Sequence, residues 1–265
     1  MYRSLYNKVR MIDIHSHIIW GVDDGARNRE DSIAMLRLAA ETGTTDIVAT
    51  PHCDPHHKFD PAVRDERIRE LMDATGGIPR IHPGCDFRLS FENIRSGLQD
   101  PARYTINGLR YLMVEFEDVL IPPSAEEIFR RFLDRDICPV ITHPERNPIL
   151  QRSFDRLERW KQMGCLLQVT AQSLTDRFGK AAQESAWELL RKGLVHVIAS
   201  DGHDTEHRPP RLDRAHEILA REMGADAADL LLVTNPSAIL AGEPVWGTAT
   251  KTIEPRKKNR FAFWR

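Results

Sequence analysis

Two histidines one residue apart, His15 and His17, close the apolar run that begins at Ile12, and Asp23-Asp24-Gly25 then turns the chain sharply. Side chains alternate faces along a strand, so both imidazoles point to one side and reach one site. Such a pair offers two ligands to a metal ion and leaves the site incomplete. Further candidates stand where other apolar runs end: His52 after Thr50-Pro51, Asp86 after Cys85, Glu115 after Val114, His143 after Thr142, and Asp201 with His203 after Ser200. Together these side chains exceed what one tetrahedral ion can use, which points to two or three divalent ions sharing bridging carboxylates. Nitrogen and oxygen ligands without thiolate suit manganese, iron or zinc.

Arg146 lies shortly after His143 in His-Pro-Glu-Arg, and Arg208 shortly after His203. A guanidinium fork matches a pair of phosphate oxygens, and two of them aimed at one polymetal cleft favour a phosphorylated substrate. The remaining histidines divide by position. His196, inside Val195-His196-Val197-Ile198, reads as a hydrogen-bonded core residue; His56, His57 and His207 sit in loops where they could meet substrate; His82 and His216 have no assigned role.

For these ends to meet, the elements that carry them must share one direction. Seven short apolar runs recur with helical patterns between them: residues 12–15, 46–50, 80–85, 111–116, 138–143, 165–170 and 195–200. The repeat is a βα unit, which favours a parallel α/β barrel or a doubly wound sheet. In a barrel the carboxyl ends of the strands converge on one mouth, and only the sixth run, ending at Val169-Thr170 before Gln172, brings no evident ligand. Helices are expected over 31–42 before Gly43, from Ser124 as N-cap with Glu127 completing a capping box, over 153–163, 180–192, 212–223 and 226–232, and after Asn235-Pro236 as an N-cap and first-turn pair.

The chain of 265 residues suits one large domain, and its 41% hydrophobic and 29% charged residues suit a globular fold. No apolar run approaches membrane-spanning length and the first ten residues carry no secretory core, so the expected location is the cytoplasm. Cys53, Cys85, Cys138 and Cys165 form no Cys-x-x-Cys pair and read as buried thiols. A cysteine-dependent phosphatase needs arginine six positions after its cysteine; here those positions hold Phe59, Phe91, Pro144 and Ala171, which excludes that class. The formal charge is −2, yet Lys251, Arg256, Lys257, Lys258, Arg260 and Arg265 against Glu254 give the last fifteen residues +5 and leave −7 for the body. An acidic body without a basic stripe argues against a nucleic-acid substrate. The expected division is an extension over 1–10, a catalytic domain over 11–245, and a basic, aromatic tail over 246–265 whose membrane contact is at most peripheral.

Asp-Ile-His-Ser-His with Val-Asp-Asp-Gly-Ala, Thr-Pro-His, Val-Glu-Phe, Val-Ile-Thr-His-Pro-Glu-Arg and Val-Ile-Ala-Ser-Asp-Gly-His resemble the polymerase and histidinol phosphatase (PHP) superfamily. Within it the chain is most similar to the bacterial manganese-dependent tyrosine-protein phosphatases of capsule and exopolysaccharide clusters. The resemblance implies a distorted seven-unit (β/α) TIM-like barrel with a trinuclear metal cluster. It makes His15, His17, His52, Asp86, Glu115, His143, Asp201 and His203 the metal ligands, and Arg146 and Arg208 the phosphate grips. It further implies manganese as the cofactor, and a phosphotyrosine-bearing tail of a membrane-bound autokinase as partner. Asp86 is one methylene shorter than the glutamate some relatives carry there. The expected reaction is metal-assisted phosphomonoester hydrolysis, with Asp201 or a histidine as a candidate proton donor. A small-molecule phosphatase acting on histidinol phosphate, or a metal-stabilised regulatory protein without turnover, are the alternatives.

Overall fold

The computed structural model describes residues 9–245, 247 and 248. The expected tail, with its membrane contact, and most of the N-terminal extension lie outside these residues. Strands β1 (Met11–Ser16), β2 (Thr44–Ala49), β3 (His52–Cys53), β4 (Arg80–Pro83), β5 (Asp86–Arg88), β6 (Tyr111–Glu115), β7 (Cys138–Ile141), β8 (Leu166–Thr170) and β9 (Val197–Ala199) all pair in parallel. They fall into two sheets, β1-β2-β4 and β3-β5-β6-β7-β8-β9. Since β2 runs on into β3 and β4 into β5, the two sheets share two strands, and the count is the seven read from the sequence. A parallel bridge between Ser16 and Gly202 brings the first strand to the end of the last and completes the ring.

Two of the expected runs are each followed by a short further strand. The run expected over 46–50 gives way at Thr50-Pro51, where proline lacks the N–H the ladder needs, and the run expected over 80–85 stops early, at Pro83, before Gly84-Cys85. A side chain at Gly84 would press 2.6 Å from Val48 Cγ1, so only glycine lets the two strands approach there. Beyond the breaks His52 pairs in register with Asp86, placing the two side by side at the mouth.

The helices α1 (Arg29–Glu41), α2 (Pro61–Thr75), α3 (Phe91–Gln99), α4 (Ala125–Leu133), α5 (Phe154–Met163) and α6 (Gly179–Arg191) connect the strands, and α7 (Asp213–Met223) follows β9. The β6–β9 strands are buried on both faces, as a parallel sheet covered by helices must be. Tyr111, Met113, Cys138, Val140, Leu166, Val197 and Ala199 cluster on one side, while Leu112, Val114, Ile141, Leu167, Val169 and Ile198 pack with Phe129, Phe132 and Trp160 of the helices on the other. The period of two along a strand then puts Glu115 on the Tyr111–Met113 side and Gln168 on the Leu166 side, which is the inside. All four cysteines are free and buried. No helix among the described residues is long and apolar enough to cross a membrane.

Two expected caps differ. Ser124 has φ −83° and ψ 6° and its side chain makes no capping bond, so the capping box with Glu127 does not form. The cap geometry needs an extended residue, and the chain arriving from Pro122-Pro123 is already turning, with Ala125 N donating to Pro122 O. Asn235 is not an N-cap either, although the helix expected there is present. The chain stays helical from α8 (Ala225–Asp229) through a wide π turn, Leu230–Thr234, into α9 (Asn235–Ala241), and the buried Asn235 amide donates to His196 O at 2.7 Å.

His196 is the core histidine the sequence suggested. Its Nδ1 accepts from Leu167 N at 3.0 Å, which requires that nitrogen to be unprotonated, and burial, helped by nearby Lys161, pushes its pKa down to about 3. An unfolded chain protonates histidine near pH 6.5, so as pH falls below that value the unfolded state gains protons the native state refuses. The loss of stability from this residue reaches about 2 kcal/mol at pH 5. Denaturant melts of metal-free protein at pH 7 and pH 5 should show a smaller drop for His196→Gln than for wild type; equal drops would refute the assignment.

Candidate metal centre and phosphate grip

All eight strand-end residues meet at the carboxyl mouth of the barrel. Four overlapping groups have ligand atoms within 4.8 Å of one another: His15, His17 and Asp86; His15, His143 and Asp201; His52, Asp86 and Glu115; and His17, Asp24, His52 and His203. Because they share members, they describe a cluster of adjoining positions rather than four separate sites. Among the close approaches are His52 Nδ1 to Asp86 Oδ2 at 3.2 Å, His15 Nε2 and His17 Nε2 each to Asp201 Oδ1 at 3.4 Å, and His143 Nε2 to Glu115 Oε1 at 3.5 Å.

Asp24 was not anticipated. Its Oδ1 lies 3.3 Å from both His52 Nε2 and His203 Nε2, completing the fourth group from the turn after β1. Two more unanticipated residues aim the imidazoles. His17 Nδ1 donates to Asp23 Oδ2 at 2.8 Å, and His15 Nδ1 to Gln168 Oε1 at 3.0 Å. His203 Nδ1 likewise donates to Asp201 O at 2.8 Å. Each of these bonds engages Nδ1 and turns Nε2 into the cluster, the orientation a metal-ligating histidine needs. The sixth strand, which seemed to bring nothing, therefore acts through Gln168. The Asp23 carboxylate also accepts from Gly25 N and His52 N, so one buried group ties the turn after β1 to β3.

The residues present fit divalent cations on a direct observation: Asp86 Oδ1, Asp86 Oδ2 and His52 Nδ1 are buried with no hydrogen-bond partner, and His15 Nε2 faces His17 Nε2 at 3.3 Å. Acceptor atoms held face to face in a buried site are expensive unless a proton or a metal cation joins them. The electrostatics of the site agree. Burial opposes charge on His52, yet Asp24, Asp86 and Glu115 outweigh it and raise its pKa to about 11; burial and His52 oppose charge on His17, yet Asp23 and Asp201 raise it to about 9. Burial would raise Asp86, but His15 and His52 hold it well below the usual carboxylate range. A proton there serves as a poor substitute for a metal ion, so cation uptake near neutral pH should release protons.

Arg146 and Arg208 converge on a single atom, each donating to Asp201 Oδ2. Arg208 Nε is buried and has no acceptor. Glu145 fastens the loop bearing His143 and Arg146, its Oε1 accepting from Thr170 N at 3.0 Å and Ser173 Oγ at 2.7 Å. His143 and Asp201 both hold positive φ, 31° and 52°, a conformation non-glycine residues adopt at a cost of roughly 1–3 kcal/mol each. Burial would raise Asp201 too, but His15, Arg146, His17 and His203 hold it well below the usual range, so it stays ionised. Beside the cluster a cleft of about 340 Å³ is lined by Arg88, Glu115, His143 and Arg146 among others. Of the loop histidines, His57 stacks on His52 at 5.5 Å and His207 lines a second hollow with Asp24 and His203, while His56 stays exposed beside Asp54. His82 pairs with Asp46 and His216 with Asp229, away from the centre.

Gly25 closes the turn where the chain folds back onto the ligand strand. A Cβ there would lie 2.2 Å from His17 O and 2.5 Å from His17 Cβ. Gly25→Ala must displace His17 or the Asp23-Asp24 pair, so elemental analysis should find fewer ions per chain than in wild type; an unchanged ion count would refute this.

Residues 11–241 match the family described as capsular polysaccharide synthesis, CpsB/CapC. The chain is 30% identical to the tyrosine-protein phosphatase YwqE of Bacillus subtilis, over 93% of this chain and 98% of that one, and 32% identical to the tyrosine-protein phosphatase CpsB of Streptococcus pneumoniae, over 87% and 98%. Among solved structures it matches one from a study of YwqE and CpsB described as unique metal-dependent tyrosine phosphatases, with TM-score 0.83 and 31% identity over 94% of this chain and 100% of that one. A phosphotriesterase homology protein from Escherichia coli, at 10% identity and TM-score 0.58 over 88% and 99%, shares the barrel fold. A family model that spans residues 11–241, with relatives 30% and 32% identical over nearly their whole length, makes this chain a member of the CpsB/CapC family.

Proposed function

We propose that this chain is a metal-dependent protein-tyrosine phosphatase of capsule or exopolysaccharide synthesis, using manganese and acting on the phosphotyrosine-bearing tail of a membrane-bound autokinase. The observation that carries the reading is the convergence of two guanidiniums, Arg146 and Arg208, on one anionic oxygen at the rim of a pit lined by unpartnered imidazole and carboxylate atoms. His15, His17, Asp24, His52, Asp86, Glu115, His143, Asp201 and His203 would hold the ions. Bound divalent cations supply Lewis acidity toward phosphoryl oxygens and make water a stronger nucleophile near neutral pH.

The chain's own part is orientation and charge. An oxygen of a phosphoryl group accepts from the same pair of donors that now meet on Asp201, and the two forks take up the charge that spreads over the equatorial oxygens in the transition state. Asp201, held ionised, serves as anchor and ligand rather than as a proton donor. Tyrosyl phenolate, whose conjugate acid has a pKa of about 10, leaves with less protonation than an alkoxide needs.

The deciding experiment compares hydrolysis of a phosphotyrosyl peptide with that of histidinol phosphate, by manganese-loaded, chelator-treated and thiol-alkylated protein. The expected pattern is preference for the peptide, loss with chelator and survival of alkylation. A strong preference for histidinol phosphate would replace the protein substrate with a small molecule, and activity lost to alkylation but not to chelation would remove the metal assignment.

A further inference from the structure

The loop after β8 comes from the strand whose tip contributes no ligand, yet it reaches the phosphate grip. The Phe178 ring, partly buried just before α6, faces the Arg146 guanidinium with 4.4 Å between its centroid and Cζ, and the Arg208 guanidinium at 5.9 Å. Its neighbour Arg177 reaches across to the loop that carries Arg208, with Nε donating to His207 O at 3.0 Å and Nη2 to Glu206 O at 3.2 Å. That loop is itself folded tightly: Asp204 Oδ1 accepts from the backbone N–H of Glu206, His207 and Arg208, and His203 N donates to Arg208 O at 2.7 Å.

Two guanidiniums brought to one oxygen repel one another, and arginine side chains lose rotamer freedom when fixed. A ring whose negative face meets both cations offsets part of each cost and limits where the planes of the forks can lie. We propose that Phe178 is a positioning residue, which presets Arg146 and Arg208 for a phosphoryl group, and that Arg177 latches its loop to that of Arg208. The inference rests on the phosphatase reading. It assigns the ring a role in phosphate affinity that acts through the two guanidiniums.

The test uses manganese-loaded full-length protein and calorimetric binding of inorganic phosphate, with ion content measured alongside. Phe178→Leu, which keeps apolar bulk but removes the π face, should weaken phosphate binding by about tenfold. Ion content should not change, and in turnover the rise should fall mainly on KM. Phe178→Trp, which restores a π face, should return the affinity to within about twofold of wild type. In an Arg146→Ala/Arg208→Ala background Phe178→Leu should add nothing further, because the ring acts only through those guanidiniums. Wild-type protein that binds phosphate together with a Phe178→Leu variant that binds it equally well would overturn this inference alone. So would an undiminished effect in the double-arginine background, or a loss of ions in proportion to the loss of phosphate. Wild-type protein that binds no phosphate would overturn the phosphatase reading and this inference with it.

Discussion

Asp201→Asn is expected to lower kcat/KM on a phosphotyrosyl peptide by about a thousandfold or more and to lower the number of ions held per chain. The side chain keeps its shape and loses its charge, and its carboxylate currently serves five partners: His15, His17 and His203 at 3.4–3.6 Å through one oxygen, and both arginines through the other. Removing one member of a buried charge network leaves the others uncompensated, which costs more than the pair was worth. Steady-state kinetics with elemental analysis on the same preparation would check it. Full ion content with near-normal turnover would show that the carboxylate is dispensable to both functions.

Arg146→Ala and Arg208→Ala should each lower kcat/KM by about 10²–10³ while leaving ion content at the wild-type level. The contrast with Asp201 is the point, since both guanidiniums donate to that carboxylate, while the backbone bonds of the two arginines to His143 and His203 survive truncation to alanine. Lysine at either position restores charge but not the planar fork, so Arg146→Lys and Arg208→Lys should recover only part of the loss. The double alanine variant should lose less than the product of the single effects, because the two forks share one anion. A fall in ion content matching the fall in rate would instead make the arginines structural props of the cluster.

The eight strand-end residues were legible because a parallel barrel converts a one-dimensional regularity, a polar side chain after each apolar run, into a three-dimensional meeting point. Nothing in the local sequence of His15 and Asp201 relates them across so many residues; the direction of the strands does. The residues that escaped notice obey no such regularity. Asp24 sits in a turn, where no period dictates which way a side chain points, and Asp-Asp-Gly reads first as a device for reversing the chain. Gln168 is an interior position of an otherwise apolar strand, and its value appears only when His15 Nδ1 is found 3.0 Å away. Ser124 and Asn235 are residues that favour helix starts, and each was overridden by its surroundings, one by the turn leaving Pro122, the other by a tertiary bond to His196.

The ring closes between the first strand and the stretch after the last, with Asp201 N donating to His15 O and His17 N to Gly202 O. Candidate ligands from the two ends of the domain therefore sit on either side of a single seam. A nascent chain still on the ribosome before residues 197–203 have emerged holds His15 and His17 without Asp201 or His203, so the complete cage can close only once nearly the whole domain has been synthesised. The two candidate groups that need Asp201 or His203 are thus completed last, and on the function proposed above a cage filled at every position would mark a molecule whose chain has been made through to its last strand.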